Sequence, residues 1–208
     1  MTKEEYKKIC DLRFGKAVYD KLEGARVAVA GLGGLGSHIA VMLARTCVGT
    51  LHLIDFDHVD ISNLNRQEYY ISHIGRPKTE CLAEKLKEIN PFMNIITDHI
   101  KVTNENIAGL FVEDPIICEA FDKSDQKAML VNGLLQTFPD KKIVSGSGMA
   151  GYGDSNTIIT KRVFHNLYLC GDQISDSESG MGLMAPRVSI CAGHEANKVI
   201  QLILGEEE

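Results

Sequence analysis

The glycine-rich segment Gly31–Gly36 (GLGGLG) constrains the fold more than any other part of the chain. It follows a short apolar, β-branched run, Arg26–Ala30, which predicts a buried strand, and it opens an apolar pattern with helical spacing over Leu35–Leu43. Glycines at such a turn let backbone N–H groups approach a phosphate at the positive end of the helix. The segment therefore predicts a nucleotide-binding α/β fold.

Predicted strands and helices alternate along most of the chain, which is typical of a parallel sheet with helices on both faces. Beyond the first strand, apolar runs predict strands at Leu51–Ile54, Asn94–Ile100, Pro115–Cys118 and Lys142–Ser145. Helical spacing predicts helices at Lys78–Asn90, Ser124–Gln136 and Pro186–Leu204. Near the C-terminus, antiparallel or edge strands are expected at Thr157–Phe164 and Asn166–Leu169. The expected fold class is α/β, with a Rossmann-like, mainly parallel sheet.

No internal repeat, low-complexity tract or Pro- and Ser-rich linker divides the sequence, so one domain over residues 1–208 is expected. Residues 1–24 are interpreted as a polar helical lead-in, and residues 173–182 as a polar loop. The formal charge of −6 argues against a nucleic-acid-binding surface. The sequence has no membrane-length apolar run, no secretory signal and no CxxC pair among its scattered cysteines. This combination predicts a cytoplasmic protein with reduced thiols and no zinc site.

Two polar features follow the glycine-rich turn. Asp55 lies at the carboxyl end of the second strand, where an acid can accept hydrogen bonds from ribose hydroxyls. The turn and this acid do not distinguish a dinucleotide from ATP. The segment Asn63–Gln67 (NLNRQ), followed by Lys78, adds cations that would neutralise a triphosphate and stabilise displaced pyrophosphate. By spacing alone, the simpler interpretation is that Arg66 and Lys78 are surface charges.

Several motifs lie in order along the chain, namely Gly31–Gly36, Asp55–Asp57, Asn63–Gln67, Pro77–Lys78 and Asp122. Together they resemble the ThiF/MoeB/HesA family, the bacterial relatives of ubiquitin-activating enzymes. The similarity runs from about Arg13 through Asn90–Pro91, Glu119–Asp122, Ser145–Gly146 and Met184–Pro186. It is strongest towards the short, divergent branch of sulfur-carrier adenylyltransferases of thiamine biosynthesis, on the stretches Cys118–Asp122, Gly148–Gly153 and Ala185–Asn197.

The resemblance implies a reaction and its partners. The chain would adenylate the C-terminal Gly-Gly carboxylate of a small ubiquitin-like sulfur carrier protein, using ATP with Mg²⁺ and releasing pyrophosphate. A homodimer is implied, and a separate sulfur-donor protein is expected because no rhodanese-like extension follows. Asp55 would bind the ribose and Lys78 the triphosphate. The nucleotide-binding residues that the resemblance implies are Gly31, Gly33, Gly34, Gly36, Asp55, Asp57, Asn63, Arg66, Gln67 and Lys78.

The same resemblance implies catalytic roles for Arg66, Lys78 and Asp122, of which Asp122 would hold magnesium. The other interpretation of Asp122 is an N-cap for the helix that begins near residue 124. Arg13 would reach across a dimer into the partner's site. Some family members form an acyl disulfide through a cysteine on the loop that crosses the substrate site, here residues 165–185. Cys170 is the candidate, and a buried core residue is the alternative.

Other functions stay open at this point. The carrier could belong to molybdopterin synthase, or the substrate could be a tRNA, as in tRNA-modifying dehydratases, although the acidic composition disfavours tRNA. An NAD(P)-dependent oxidoreductase or NAD-binding module would need only the glycine-rich turn and Asp55. The sequence shows no substrate domain with its own catalytic base, which argues against an oxidoreductase. A non-catalytic scaffold is disfavoured by the joint presence of Asp55, Asn63, Arg66, Lys78 and Asp122.

Overall fold

The computed structural model describes residues 1–175 and 180–206 of the chain. Within these ranges the chain forms seven strands of one sheet. In chain order they are β1 (Arg26–Ala30), β2 (Thr50–Ile54), β3 (Asn94–Asp98), β4 (Ile116–Glu119), β5 (Lys142–Gly146), β6 (Ile159–Phe164) and β7 (Leu167–Gly171). The α-helices are α1 (Lys3–Phe14), α2 (Lys16–Glu23), α3 (Gly34–Arg45), α4 (Lys78–Ile89), α5 (Ile107–Leu110), α6 (Ser124–Thr137) and α7 (Ala185–Leu204).

The strand order in the sheet is β3-β2-β1-β4-β5-β7-β6. Neighbouring strands are parallel except β6 and β7, which are antiparallel to each other. From β1 the chain moves outward to β2 and β3, and it then returns to the other side of β1 to form β4. The boundary between β1 and β4 is therefore a topological switch point, beyond whose carboxyl ends a ligand crevice is expected. The expected fold class, a Rossmann-like and mainly parallel α/β sheet, is confirmed.

Helices cover both faces of the sheet because alternate residues of each strand point to opposite sides. On one face, Val27 and Val29 of β1 belong to a core cluster with residues of α3, α4 and α7. On the other face, Ala28 and Ala30 belong to a cluster with residues of α5 and α6. Burial of each large aliphatic side chain in these clusters contributes about 2 kcal/mol to folding.

The structure refines the sequence expectations in three places. The helical lead-in consists of two helices, because Gly15 takes a φ of +86° between α1 and α2 and ends the first of them. β3 ends at Asp98, two residues earlier than expected. The expected antiparallel pair near the C-terminus is confirmed for β6 and β7, of which β6 is the edge strand and β7 runs parallel to β5. The loop expected at residues 173–182 lies partly outside the described residues.

The C-terminal helix α7 packs against α3 and the end of the sheet formed by β5 and β7. Its C-cap is Gly205, which has a φ of +87°. This φ lies in the left-handed region, which residues other than glycine rarely adopt. α7 therefore closes the core on the face that also carries α3 and α4. No helix in residues 1–175 or 180–206 combines the length and apolar character needed to cross a membrane.

His52 of β2 lies in a buried ionic network at one face of the sheet and is 2% exposed. Its Nδ1 lies 2.7 Å from Oδ2 of Asp114, and its Nε2 lies 2.7 Å from Oδ2 of Asp98. Asp114 also accepts a hydrogen bond of 2.6 Å from Nε of Arg26. Burial alone lowers the pKa of His52, but the two carboxylates together raise it above its ordinary value. Both ring nitrogens of His52 face carboxylate oxygens, and this arrangement stabilises the protonated imidazolium form.

We expect His52→Leu to destabilise the protein by about 3 kcal/mol at pH 6, because it removes one partner of a buried ion pair. The folded-state pKa of His52 lies above its unfolded value of about 6.5. The stability that the charge of His52 contributes is thus fully present below the unfolded pKa. It is lost as pH rises through the folded-state pKa. Urea unfolding at pH 6 and pH 8.5 measures this difference. His165→Leu at an exposed position is the control, and an equal cost of His52→Leu at both pH values would contradict the assignment.

Candidate active site

A crevice of about 710 Å³ opens at the carboxyl ends of the central strands, within the size range of small-molecule sites. The β1–α3 turn, the ends of β2 and β4, and the loop after β5 form its walls. Most of the nucleotide and metal residues expected from the sequence line it together: Gly31, Gly33, Gly34, Asp55, Asp57, Asn63, Arg66, Gln67, Lys78 and Asp122. Segments far apart in the sequence therefore converge on one site.

The glycines of the β1–α3 turn allow close packing that a Cβ atom would prevent. Gly31 has a φ of +88°, and a Cβ there would lie 2.8 Å from the carbonyl oxygen of Ala120. A Cβ at Gly36 would lie 1.8 Å from the carbonyl oxygen of Gly31, so Gly36 shapes the turn without lining the crevice. Gly33 is the N-cap of α3 and makes no side-chain cap. The first N–H groups of α3 lack intrahelical acceptors and are suited to an anion.

Asp55 and Asn63 are held in place by backbone N–H groups. The Asp55 carboxylate accepts hydrogen bonds from the N–H of Leu32 at 2.7 Å and from the N–H of Asp57 at 2.8 Å. Burial raises the pKa of Asp55, and the charge of the nearby lysine and these two N–H groups offset part of that shift. Asn63 accepts from the N–H of Asp60 at 2.9 Å through Oδ1. The remaining lone pairs of Asp55 and the amide NH₂ of Asn63 can serve a ligand.

Lys78 begins α4, and its side chain is only 7% exposed. Its Nζ lies 2.9 Å from Oδ2 of Asp57, whose own side chain is 49% exposed. The backbone N–H of Lys78 also donates to the carbonyl oxygen of Asp57 at 3.0 Å. The interpretation of Lys78 as a surface charge is therefore wrong, because its side chain is buried in the wall of the crevice that the glycine-rich turn also lines.

Arg66 and Gln67 carry buried polar atoms that the described part of the chain leaves unpaired. The Nη1 of Arg66 donates to the carbonyl oxygen of Ser62 at 3.1 Å and to Oδ1 of Asn65 at 2.8 Å. The Nε of Arg66 and the Oε1 of Gln67 are buried and have no hydrogen-bond partner among the described residues. Each such atom costs about 1–3 kcal/mol unless it is satisfied. A polar ligand in the crevice would remove this cost.

Asp122 lies in the loop between β4 and α6, at the rim of the crevice, and is exposed. The N-cap of α6 is Lys123, so the interpretation of Asp122 as the N-cap is wrong. No residue of the described ranges forms a hydrogen bond or an ion pair with its carboxylate. A carboxylate in this position fits Mg²⁺, which is usually held by one or two carboxylates together with substrate phosphates.

Comparison with known proteins decides the family. Residues 7–208 match the family model described as the ThiF family. The chain belongs to the ThiF family.

Individual relatives support this membership. The molybdopterin-synthase adenylyltransferase of Escherichia coli (strain K12) is 28% identical over 191 residues, which are 89% of this chain and 76% of that protein. The tRNA threonylcarbamoyladenosine dehydratase of Bacillus subtilis (strain 168) is 34% identical over 146 residues, which are 69% of this chain and 57% of that protein. The expected family and the expected enzyme class, an adenylyltransferase, are confirmed by the family match and by the adenylyltransferases among the relatives.

A solved structure of another dehydratase has the same fold. The E. coli tRNA threonylcarbamoyladenosine dehydratase TcdA, in complex with ATP, superposes with a TM-score of 0.86 at 20% identity. The match covers 96% of this chain and 93% of that chain. The two chains therefore share one fold over nearly all of their length.

Two candidates from the sequence lie away from the crevice of this ThiF-family protein. Cys170 lies in β7 and is fully buried, and its Sγ is 3.4 Å from Oγ1 of Thr160. Burial raises the pKa of its thiol to about 12. Cys170 was expected on the crossover loop, but β5 and β6 pair with its strand on both sides, so the core interpretation holds. Arg13 is exposed in the last turn of α1, and its role across a dimer stays a prediction.

Further crevice residues were not among the sequence candidates. They include Phe56, Ile100, Lys101, Val102, Phe121, Lys123 and Lys127. These seven residues follow the carboxyl ends of β2, β3 or β4, so the rule that ligands bind beyond these ends could have identified them. They add apolar side chains and three lysines to the lining of the crevice.

Arg187 of α7 anchors the loop that closes the other wall of the crevice. It is 5% exposed, and its Nη1 donates to the carbonyl oxygens of Gly153 at 3.0 Å and Asp154 at 2.7 Å. Its Nη2 pairs with the Asp172 carboxylate. Burial alone raises the pKa of Asp172, but backbone N–H groups and Arg187 lower it to about 2. Arg187 thus links the connection between β5 and β6 to the residue that follows β7.

Proposed function

We propose that this chain transfers the adenylyl group of ATP to the C-terminal carboxylate of a small ubiquitin-like sulfur carrier protein that ends in Gly-Gly. One observation carries the proposal. The buried Lys78, the N-terminus of α3 and Arg66, whose Nε has no partner among the described residues, all line the same crevice. Two phosphates of a dinucleotide would need only the helix terminus and the glycine turn. A third phosphate needs the additional cations.

In this mechanism the carrier carboxylate attacks the α-phosphorus of ATP. A bond forms between a carboxylate oxygen and the α-phosphorus, and the bond to the oxygen that bridges to the β-phosphate breaks. Pyrophosphate leaves with that electron pair, and the product is an acyl-adenylate. A carboxylate is ionised at neutral pH, so the protein has to supply alignment and charge neutralisation rather than a general base.

In this mechanism, different residues of the crevice would have different roles. Lys78 and Arg66 would bind the triphosphate and neutralise the charge that develops on pyrophosphate. Asp55 would accept hydrogen bonds from the ribose hydroxyls. Asp122 would hold Mg²⁺, which neutralises phosphate charge when it is bound.

The loop after β5 is suited to an extended peptide tail. Gly146 and Gly148 line the crevice and present backbone peptide groups that an extended Gly-Gly tail can approach. Met149 lies beside them and gives the wall an adaptable apolar side chain. The tail would enter between this loop and the phosphate-binding turn, so that its carboxylate faces the α-phosphate.

The thiamine-type carrier is the substrate that we propose, on the strength of the sequence stretches Cys118–Asp122, Gly148–Gly153 and Ala185–Asn197. The relatives named above instead carry the names of a molybdopterin-synthase adenylyltransferase and of tRNA dehydratases. A molybdopterin-synthase carrier is therefore the second candidate. The formal charge of −6 disfavours tRNA as substrate.

We expect ATP–pyrophosphate exchange in the presence of a thiamine-type carrier that ends in Gly-Gly, and none with the same carrier lacking its last glycine. A molybdopterin-synthase carrier and bulk tRNA are assayed in parallel, and exchange with either alone would replace the thiamine assignment. Independently, ATP at about 100 times its Kd should stabilise the protein by about 2.7 kcal/mol, whereas NADH should not. Stabilisation by NADH without any exchange would overturn the adenylation proposal.

A further inference from the structure

The carboxylate of Glu119 is fully buried at the end of β4, directly before the crevice residues Ala120 and Phe121. A carboxylate removed from water must be paired and hydrogen-bonded to be tolerated. The residues that pair with it come from the loop after β4, from α6 and from β5, and each of these segments contributes residues to the lining of the crevice.

Glu119 receives hydrogen bonds at both oxygens. Its Oε1 accepts from the N–H of Phe121 at 2.8 Å and from Nζ of Lys127 at 3.2 Å. Its Oε2 accepts from the same Nζ at 2.9 Å and from the hydroxyl of Ser145 at 2.5 Å. Hydrogen bonds to a charged group are the strong ones, so this carboxylate fixes its partners firmly.

These partners flank the two segments that the proposed reaction needs. Phe121 and Lys127 lie on either side of the exposed loop that carries Asp122. Ser145 directly precedes Gly146, where the glycine-rich wall begins. One buried carboxylate therefore sets the position of the loop that bears the magnesium candidate and of the wall that would receive the carrier tail.

A second buried acid in this region is Glu195 of α7. A Cβ at Gly146 would lie 2.6 Å from its Oε1, so Glu195 sits directly behind the wall. Burial raises the pKa of Glu195 well above its ordinary value, and the charge of Lys127 opposes this shift. The ammonium of Lys127 donates both of the hydrogen bonds described above to Glu119, and with three N–H groups it retains a donor for the crevice that it also lines.

We propose that Glu119 is a positioning residue that couples the Asp122 loop to the Gly146 wall through Lys127 and Ser145. Glu119 touches neither substrate. It holds the two walls at the separation that places the α-phosphate against the attacking carboxylate. The inference rests on the proposed adenylation for its catalytic consequence, but its effect on nucleotide binding is independent of the carrier.

The test compares Glu119→Gln with matched variants by calorimetry, using ATP with MgCl₂ and ATP with EDTA. Gln keeps the shape of the side chain but lacks the charge that holds Lys127. The phosphate-binding turn and Lys78 are untouched, so affinity for ATP in EDTA should stay within about threefold of the wild type. In Glu119→Gln, Mg²⁺ should no longer increase the affinity for ATP. The kcat of exchange should fall about 100-fold, which is the effect expected when the reacting groups are misplaced by about 1 Å.

Control variants separate positioning from folding. Glu23→Gln breaks an exposed ion pair with Lys3 of 2.7 Å far from the crevice and should change neither quantity. Lys127→Arg should retain the Mg²⁺ effect, whereas Lys127→Met should behave as Glu119→Gln does. Should Glu119→Gln fail to fold, Ser145→Ala removes one hydrogen bond and should raise KM for the carrier severalfold without altering ATP binding.

The outcomes distinguish this inference from the function on which it rests. If the wild-type protein shows no exchange with any carrier, the adenylation proposal is overturned. The comparison of ATP binding with MgCl₂ and with EDTA still tests the role of Glu119 in that case. A Glu119→Gln protein that binds ATP with Mg²⁺ as the wild type does and keeps kcat within threefold would overturn the positioning role. An unaltered carrier KM in Ser145→Ala would overturn the coupling to the Gly146 wall.

Discussion

Lys78→Met is expected to lower kcat/KM for ATP–pyrophosphate exchange by about 10³-fold, the scale of removing one group that stabilises developing charge. The Lys78 side chain is buried in the wall of the crevice and does not have to be brought there from solvent. Methionine preserves the packing of the aliphatic stem. Asp57 loses its ionic partner but remains half-exposed, so the folded state should be affected little.

Lys85→Met is the matched control for this substitution. Lys85 lies on the same helix, is 11% exposed and pairs with the Glu68 carboxylate, but it does not line the crevice. Its substitution should change the free energy of unfolding without a comparable change in exchange. Thermal unfolding and initial exchange rates are measured for both variants. Equal losses of exchange in Lys78→Met and Lys85→Met would show that the buried charge acts on stability rather than on ATP.

Gly36→Ala is expected to abolish detectable binding of ATP. Its Cβ would lie 1.8 Å from the carbonyl oxygen of Gly31 and 2.9 Å from the carbonyl carbon, so either the turn or the first turn of α3 must move. The N–H groups that face the phosphates would move with it. The overpacking also costs about 1–3 kcal/mol of stability.

Gly193→Ala makes the same chemical change in the interior of α7, where a Cβ meets nothing within 4 Å. Alanine there should stabilise the helix by about 0.5–1 kcal/mol. Calorimetric titration with ATP and thermal unfolding distinguish the two glycines. Binding of ATP to Gly36→Ala at wild-type affinity would contradict the close packing that the structure shows in this turn.

The sequence was sufficient to predict the elements around the first crossover. Arg26–Ala30, Gly31–Gly36 and Asp55 follow one another at spacings that a βαβ unit dictates, and the structure places them as expected. Local patterns carry this information because a strand, a turn and a helix are each recognised within a short window. The direction of β7 was not predictable in the same way, since it depends on which neighbour the strand pairs with.

The burial of individual site residues could not be predicted from the sequence. Lys78 has the composition of a surface residue, and only the fold around Asp57 removes it from solvent. Cys170 stood beside a polar loop in the sequence, yet strand pairing on both sides placed it in the core. The sequence carries no local signal for the role of Glu119, because the pairing of β4 with β5 brings Ser145 to it and the fold of α6 brings Lys127.

The carboxyl group of Glu195 behind the Gly146 wall and the imidazole of His52 have a common thermodynamic consequence. Both groups hold their proton more tightly in the native chain than in the unfolded one. Each of these two groups therefore takes up protons from solvent on folding in the pH range between its unfolded and folded pKa, and unfolding releases them to the buffer. The apparent enthalpy of unfolding thus includes the ionisation heat of whichever buffer accepts those protons, and alkaline solution favours the unfolded chain by mass action.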